Sequence, residues 1–455
     1  MPGPRPPLGL VRGGRAPAES REPVPPPHGP PDPAGARRAL ELTALGTGLV
    51  LTLALMARIP SWARDLGTFQ SLYAVAFAFY ALALPRAMRS GAIAGAAPLV
   101  LAVAIAARLA LLPVTPTLSD DLYRYAWEGR VAAHGLDPYR SSPADPSLAS
   151  LRDRTIHPRI NHPELSTLYP PLSIAGFALV SRISPSLRAI KVWIALHDLA
   201  LVALLIVWVR RYDGSALPAI AYAWNPLVLV EYSGSGHNDP TAIVWLVASL
   251  LWAERRPVVS ALALAAGVLT KLAPLVALPF LMVRWPWRAR LAALAVLIPG
   301  LGWFWSETRG ADSGLTAYSR TWANNELLFQ PLLAVVRDPI RARLAVAALL
   351  LAFMAWMLWR RWPPPRATRE SLRAGLLLSP VAHPWYLGWV LALEPLALSP
   401  PWVLLSLTAI LSYGVLAAPA EGGRFHLPMA WRWFEYGLPL ALAIVLAAKR
   451  TRARR

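Results

Sequence analysis

The sequence contains no cysteine and few charged residues. Without cysteine, the 455-residue chain has neither disulfide bonds nor thiol chemistry available. Charged residues make up 15%, against about 25% in an ordinary soluble domain. Hydrophobic residues make up 56%, and they recur in apolar runs of roughly 14–23 residues from Ala39 to Ala448. The sequence therefore predicts an all-α, polytopic transmembrane protein with about 12–14 spanning helices.

Several catalytic signatures are also missing. There is no P-loop, no glycine-rich dinucleotide fingerprint and no Gly-x-Ser-x-Gly elbow, so soluble nucleotide-sugar chemistry has no visible place. His157 and His162 lie close together, but no third ligand has metal-site spacing. We therefore expect no metal and no cofactor.

The net charge of +20 would suggest a nucleic-acid partner if the protein were soluble. Here the arginines fall in clusters between the apolar runs, which is the topology signal of a membrane protein. We therefore expect membrane lipids as neighbours and no nucleic acid.

The two ends of the chain are basic and polar. Residues 1–38 are rich in Pro, Gly and Arg and predict a disordered cytoplasmic tail. Residues 449–455 predict a basic cytoplasmic tail, and 39–448 the transmembrane domain. Within that domain, 114–170 is predicted to be an outer loop carrying juxtamembrane helices. Because both termini would lie inside, the number of crossings must be even.

The apolar runs set the positions of the predicted spans. These lie near 39–58, 67–85, 91–113, 188–209, 215–232, 239–254, 257–270, 272–284, 289–306, 340–360, 371–383, 385–398, 401–418 and 430–448. The segment Pro171–Ser184 is short and follows a proline, so we read it as a juxtamembrane or re-entrant helix. If this segment does cross the bilayer, the number of crossings becomes odd, and a second, weak span in the trace must be wrong. Whether it spans the bilayer is left open.

This trace brings the polar motifs of the chain to one side. Ser119–Asp121, His237–Asp239, Thr270–Lys271, Asn324–Glu326 and His383–Tyr386 all emerge on the outer face. Because the trace was set by the arginines and not by these motifs, their convergence predicts a single active site there.

The strongest motif begins at Ser119. Ser119 and Asp120 precede an apolar position in the manner of an N-cap with an acidic first turn. On the resulting helix, we expect Asp120 to pair with Arg124. A capped surface helix with a salt bridge would explain the pattern equally well.

A second face of the same helix carries Asp121, Tyr125 and Glu128, by their i, i+4, i+7 spacing. Two adjacent carboxylates at a membrane surface are costly to place for capping alone. Low-dielectric surroundings raise a carboxylate's pKa towards the working pH, which favours a general base.

A glycine-rich segment from Glu231 to Pro240 also lies at an outer helix end. Asn238 or Asp239 would cap the helix that follows. His237 and Glu231 have no such explanation, and ionisable groups at membrane depth are functional candidates by default.

Three further candidates interrupt later apolar runs. Lys271 suits a phosphate, with snorkelling to the interface as the alternative. Arg320 lies in a polar outer loop. His383, Trp385 and Tyr386 are suited to a sugar face, with an interfacial aromatic belt as the alternative.

These motifs together resemble the GT-C glycosyltransferases, which are polytopic enzymes that take sugars from polyprenyl-phosphate carriers. The resemblance covers most of 114–400 and is nearest to the bacterial mannosyltransferase branch. The matching residues are Asp120–Tyr125, Gly129–Arg130, Gly135–Tyr139, Tyr169–Leu172, His237–Asp239, Lys271 and His383–Tyr386.

The resemblance implies an inverting transfer of a hexose, with mannose expected, on the outer face of a bacterial cytoplasmic membrane. The donor would be a polyprenyl-phosphate sugar and the acceptor a lipid or glycan. Asp121 is then the general base, with Asp120 left open as the alternative. The implied donor-phosphate ligands are Lys271, Arg320, Arg124, Arg130 and His237. The implied sugar or acceptor ligands are Tyr125, Glu128, Asn238, Asp239, His383, Trp385 and Tyr386.

The main alternative function is a transporter or lipid flippase. Transporters carry paired repeats with polar groups near the bilayer midplane, whereas here no repeat is visible. A glycan ligase or polymerase would differ in the size of the unit transferred, and a non-enzymatic scaffold would not need the polar cluster. The donor sugar, the acceptor, the linkage and the oligomeric state stay open.

Overall fold

The computed structural model describes residues 33–89, 91, 93, 95–310, 313–416 and 429–452. Over these residues the chain is helical, and its only extended pairing is an isolated parallel bridge between Asn324 and Val381. The all-α prediction is confirmed.

Nineteen α-helices can be assigned over the described residues. They are α1 Pro33–Met56, α2 Leu66–Ala87, α3 Ala96–Leu111, α4 Asp121–Ala133, α5 Pro171–Ile183, α6 Leu187–Asp213, α7 Ile220–Ala223, α8 Pro226–Val228, α9 Pro240–Trp252, α10 Pro257–Thr270, α11 Leu278–Met282, α12 Trp287–Thr308, α13 Gly314–Thr321, α14 Phe329–Val336, α15 Pro339–Trp359, α16 Pro364–Leu378, α17 Leu387–Leu391, α18 Pro400–Thr408 and α19 Met429–Arg452.

Five of these helices are long and apolar enough to cross a membrane, namely α1, α2, α6, α12 and α15. Six shorter apolar segments add to them, at Ala96–Leu111, Pro171–Ile183, Pro240–Trp252, Pro257–Thr270, Ala273–Met282 and Pro400–Leu416. The protein is therefore a polytopic membrane protein, as the apolar runs predicted.

The two ends of the predicted transmembrane domain shift in the structure. Helix α1 begins at Pro33, so 33–38 form its first turns and are not part of a disordered tail. Residues 1–32 lie outside the described part of the chain. Helix α19 continues to Arg452, so most of the predicted basic tail extends that helix.

Several predicted spans, including 215–232, 371–383 and 385–398, are not continuous α-helices. The run 215–232 breaks at Asn225–Pro226, because proline interrupts the backbone ladder. The Asn225 side chain accepts from Leu227 N and donates to Ser406 Oγ. The run 371–383 is also wrong as a span: α16 starts earlier, carries four charged residues and ends at Leu378.

Buried polar contacts tie α3 to its neighbours. Arg108 on α3 pairs with Asp198 on α6 at 2.8 Å, and Tyr222 donates to the same carboxylate. Lys191 donates to the carbonyls of Leu111 and Val114 at 3.2 and 2.6 Å. These bonds fix the point where the chain leaves α3 and enters the long loop.

Helices α4 and α5 pack closely beneath that loop. A Cβ at Gly129 would lie 2.5 Å from the carbonyl oxygen of Phe177, so only glycine permits this approach. Helix α5 has 13 residues, which rise about 20 Å and fall short of a hydrocarbon core of about 30 Å.

Candidate active site

The polar motifs meet at the ends of several helices. Asp121 is the first residue of α4, and His237 follows the π-helix Leu229–Gly234. Lys271 ends α10, while His383 precedes the 3₁₀ turn Pro384–Tyr386. Helix termini leave the side chains free to converge from different directions.

Asp121 is held by contacts to both of its oxygens. Oδ1 accepts from Asn161 Nδ2 at 3.1 Å, and Oδ2 lies 3.6 Å from His237 Nδ1. Burial raises the pKa of Asp121, but the adjacent His237, with smaller contributions from His383 and Asn161, outweighs burial and lowers the pKa to about 2. The carboxylate is therefore ionised at neutral pH, and the expectation that its surroundings raise its pKa towards the working pH is wrong for Asp121.

Asp120 occupies the N-cap position of α4 without a side-chain capping bond. Ser119 Oγ instead accepts from the backbone N–H of Asp121 at 3.3 Å. Partial burial, followed by the charge of Asp121, raises the pKa of Asp120. No contact joins Asp120 to His237, so the structure brings Asp121 and not Asp120 into the described cluster.

The predicted pair of Asp120 with Arg124 is wrong. Arg124 Nε donates to Glu128 at 2.8 Å, and its other nitrogens donate to four backbone carbonyls. Those carbonyls belong to Asn161, His162, Leu165 and Ser166. A guanidinium has five N–H groups, so none of them is left for a donor phosphate.

Three more residues predicted as ligands hold the loop instead. Glu128 accepts from Arg124 and from Thr167 Oγ1 at 2.6 Å, and burial raises its pKa. Tyr125 is buried and stacks on Phe177 at 4.9 Å. Arg130 pairs with Asp153 at 2.5 Å. A loop packed against a helix needs such partners for its backbone carbonyls.

A column of three flat rings forms the centre of the site. The indole of Trp385 stacks on His237 at 3.7 Å and 14°, and on His383 at 4.1 Å and 9°. Two imidazoles this close to one indole would overlap on a single face, so they lie on opposite faces. Trp385 therefore has no face left for a sugar, which corrects the stacking prediction.

His237 is also enclosed at its edges. Nδ1 faces Asp121 and Nε2 faces Glu231 Oε2 at 3.5 Å, and the side chain is 1% exposed. Its predicted contact with a donor phosphate is not supported by this arrangement, because both nitrogens face carboxylates.

Lys271 is a partly exposed cation of the cluster. Its Nζ donates to Asp239 Oδ1 at 2.7 Å and lies 5.2 Å from the centre of the Tyr386 ring. Trp389 Nε1 donates to the same Asp239 oxygen at 2.6 Å. Because Lys271 is 21% exposed and its ammonium has three N–H groups, it can still donate to an anion.

Asn238 and Arg320 do not join this cluster. Asn238 donates to Ser173 Oγ at 2.8 Å and accepts from the Thr241 hydroxyl at 2.8 Å, so its side chain is held by two internal hydrogen bonds. Arg320 is exposed on α13, with no hydrogen bond or ion pair among the described residues.

Two tyrosines and an asparagine form further hydrogen bonds in this cluster. Tyr318 and Tyr386 share a hydroxyl–hydroxyl hydrogen bond of 2.8 Å. Asn324 Nδ2 lies 2.8 Å from His383 Nδ1. Tyr318 and Asn161 carried no sequence signal beyond polarity, because their partners lie far away along the chain.

Helix α19 contacts Asn325, the residue that follows Asn324. Asn325 has a φ of 52°, and its Nδ2 donates to Glu435 Oε1 at 2.8 Å. Tyr436 donates to the Asn325 carbonyl at 2.9 Å. The described residues contain no group of three or more His, Asp or Glu placed to hold a metal ion.

Comparison with known proteins places the chain in a family. A family profile described as "Alpha-(1->6)-mannopyranosyltransferase, N-terminal domain" matches residues 39–287. That region includes Asp121, His237 and Lys271, whereas His383 and its neighbours lie beyond it.

Curated relatives come from mycobacteria. A probable alpha-(1->6)-mannopyranosyltransferase of Mycolicibacterium smegmatis is 25% identical over 391 residues, covering 70% of this chain and 68% of the relative. An alpha-(1->6)-mannopyranosyltransferase of Mycobacterium tuberculosis is 25% identical over 416 residues, covering 70% and 69%. Alpha-(1->6)-mannopyranosyltransferase A of the same organism is 26% identical and covers 63% of each chain.

The search of solved structures gave no significant match. The family match confirms the resemblance to mannosyltransferases of the GT-C type. The chain therefore belongs to the alpha-(1->6)-mannopyranosyltransferase family and is a membrane-embedded glycosyltransferase.

Proposed function

We propose that the protein transfers a mannosyl unit, with inversion, from a polyprenyl-phosphate donor to a hydroxyl of a lipid or glycan acceptor. The observation that carries this proposal is a single polar cluster that holds an ionised carboxylate, Asp121, and a partly exposed cation, Lys271. The two are linked through the contacts of His237, Trp385 and Tyr386.

The chemistry follows from these two groups. Asp121 takes the proton from the acceptor hydroxyl while that oxygen attacks C1 of the sugar. The bond from C1 to the phosphate oxygen breaks, and polyprenyl phosphate leaves with its electron pair. A β-linked donor gives an α-linked product, in keeping with the names of the mycobacterial relatives.

The leaving phosphate gains negative charge, so a nearby cation lowers the barrier. Lys271 fits this role because Asp239 and the Tyr386 ring orient its ammonium without using all of its N–H groups. The hydroxyls of Tyr318 and Tyr386 bond to each other, so one of the two hydroxyl protons stays available to donate to the same anion. Arg124, Arg130 and His237 are engaged elsewhere.

The orientation in the membrane belongs to the same proposal. The arginine clusters support cytoplasmic termini, a transmembrane domain over 39–448 and an active site at the outer face. The proposed donor has a long apolar tail that lies in the membrane. This explains why the polar cluster belongs to a membrane protein and lies at the ends of its helices.

Separate substitution of the two adjacent carboxylates tests the base. Membranes carrying D121N or D120N are supplied with labelled polyprenyl-phosphate mannose and a membrane extract as acceptor. We expect D121N to lose on the order of 10²–10⁴-fold in rate, the usual effect of a general base, and D120N to stay within tenfold. Full activity of D121N would overturn the assignment.

Product analysis tests the reaction class. Mass spectrometry of lipids and glycans from cells with and without the gene should show one missing hexose. The loss of a larger glycan unit would point instead to a ligase.

A further inference from the structure

The imidazole of His237 lies between two carboxylates, those of Asp121 and Glu231. His237 Nδ1 is 3.6 Å from Asp121 Oδ2, and its Nε2 is 3.5 Å from Glu231 Oε2. The Asp121 side chain is 23% exposed, whereas His237 and Glu231 are each 1% exposed. The three side chains therefore form a line from the accessible edge of the site into the protein.

Glu231 is an unusual residue to bury. It lies on the π-helix Leu229–Gly234, a wide turn that often occurs at functional sites. Its carboxylate accepts from the Tyr413 hydroxyl at 2.9 and 3.0 Å, and its only described ion-pair partner is His237. A buried carboxylate is costly unless it is paired, so His237 is the group that can compensate it.

The geometry also constrains the imidazole. A neutral imidazole carries one N–H and one lone pair, so one of the two carboxylates would face a lone pair and be repelled. Protons on both nitrogens allow Nδ1–H to point at Asp121 and Nε2–H to point at Glu231. The nearly parallel Trp385 ring keeps the imidazole in the plane that reaches both.

We propose that Glu231 is a positioning residue for the transfer reaction and acts through His237. Its negative charge keeps a proton on each ring nitrogen of His237, and Nδ1–H then holds Asp121 Oδ2 in place. Asn161 holds the other oxygen, so Asp121 is fixed at both ends with a lone pair free for the acceptor hydroxyl. This inference rests on the proposed function only in taking Asp121 as the base.

The E231Q substitution separates charge from packing. Glutamine has the same shape and its carbonyl can still accept from Tyr413, but it has no negative charge to balance His237. We expect kcat to fall about 10- to 100-fold, as when a hydrogen bond to a charged group is lost. The KM for the donor and the unfolding temperature should stay unchanged, and E231D should recover part of kcat.

The route through His237 is tested by a double substitution. In an H237Q background, E231Q should reduce kcat little further, because the group that transmits its effect is gone. Additive losses, or a fall in KM and stability with no change in kcat, would overturn the proposal. E254Q, which removes an exposed carboxylate after α9, is the matched control and should match the wild type.

A spectroscopic measurement does not depend on the donor. Nitrogen-15 NMR of the protein in lipid bilayers, with labelled histidine and H237Q for assignment, should show both nitrogens of His237 protonated. In E231Q one nitrogen should lose its proton. A bare ring nitrogen in the wild type would overturn this inference, whereas wild-type inactivity with polyprenyl-phosphate mannose would overturn only the proposed function.

Discussion

Two buried acid–base pairs in this protein differ in how completely they are enclosed. Arg108 and Asp198 are 2% and 0% exposed. Tyr222 donates to Asp198, and the carbonyls of Ala104 and Ala223 accept from Arg108. Lys271 and Asp239 are 21% and 0% exposed. The closed pair joins two helices, whereas the open pair keeps bonding capacity for a ligand.

The largest effect should come from breaking the closed pair. R108M leaves Asp198 charged and buried without a cation, which costs about 3–5 kcal/mol. We expect a large fall in the unfolding temperature of the purified protein in detergent. R140M, which removes the exposed partner of Glu307, should change the unfolding temperature little, because an exposed ion pair contributes little to stability. Equal unfolding temperatures for the two variants would contradict the distinction.

Breaking the open pair should affect activity more than stability. K271M removes the proposed phosphate donor, and we expect kcat/KM to fall about 10²-fold. The unfolding temperature should fall less than in R108M, because Trp389 still donates to Asp239. The exposed Lys449 offers a control, since K449M should leave both quantities unchanged. A K271M enzyme with normal turnover would remove Lys271 from the mechanism.

Substitution of Asp121, the proposed base, should have a smaller, pH-dependent effect on the stability of the fold. Burial acts to raise the folded pKa of Asp121, but His237 has the opposite effect and the pKa is lowered to about 2. A lowered pKa stabilises the folded state above the unfolded value near 4, and this contribution of up to about 2 kcal/mol is lost as pH falls towards 2. The difference in unfolding temperature between wild type and D121N should therefore shrink between pH 5 and pH 2.5. A constant difference would show that His237 does not stabilise the carboxylate.

The smallest effect is expected for Arg320. This side chain is exposed and has no described partner, so R320A should change stability by less than about 0.5 kcal/mol. Its transfer rate, measured with labelled donor, should remain within about twofold of the wild type. A tenfold loss would restore it as a phosphate ligand.

The site was predictable where polar residues interrupt apolar runs. Asp121 follows such a run, and His237 and Lys271 interrupt others. Contacts through Trp385 and Tyr386 bring all three into one cluster. Arg124 and Glu128 looked equally suitable, but their partners lie 37–42 residues away in the loop. Sequence spacing predicts which residues of one helix are neighbours. It does not predict contacts with the backbone carbonyls of a loop that is distant in the sequence.

The fold was predictable to a similar degree. Apolar length located most of the helices, because lipid selects for long runs without charge. It failed at 371–383, where an amphipathic helix ends in a short extended segment that pairs with Asn324. Tyr413, which lies 182 residues from Glu231, could not have been found without the tertiary structure.

The ring column links two parts of the chain that the family comparison treats separately. His237 lies within the matched region and Trp385 outside it, yet the two rings stack on each other at 3.7 Å. Substitutions at these positions should therefore accumulate together among relatives, with a change of the indole followed by changes of its imidazole neighbours. The stretch beyond residue 287 would then evolve under the same selection as the stretch before it.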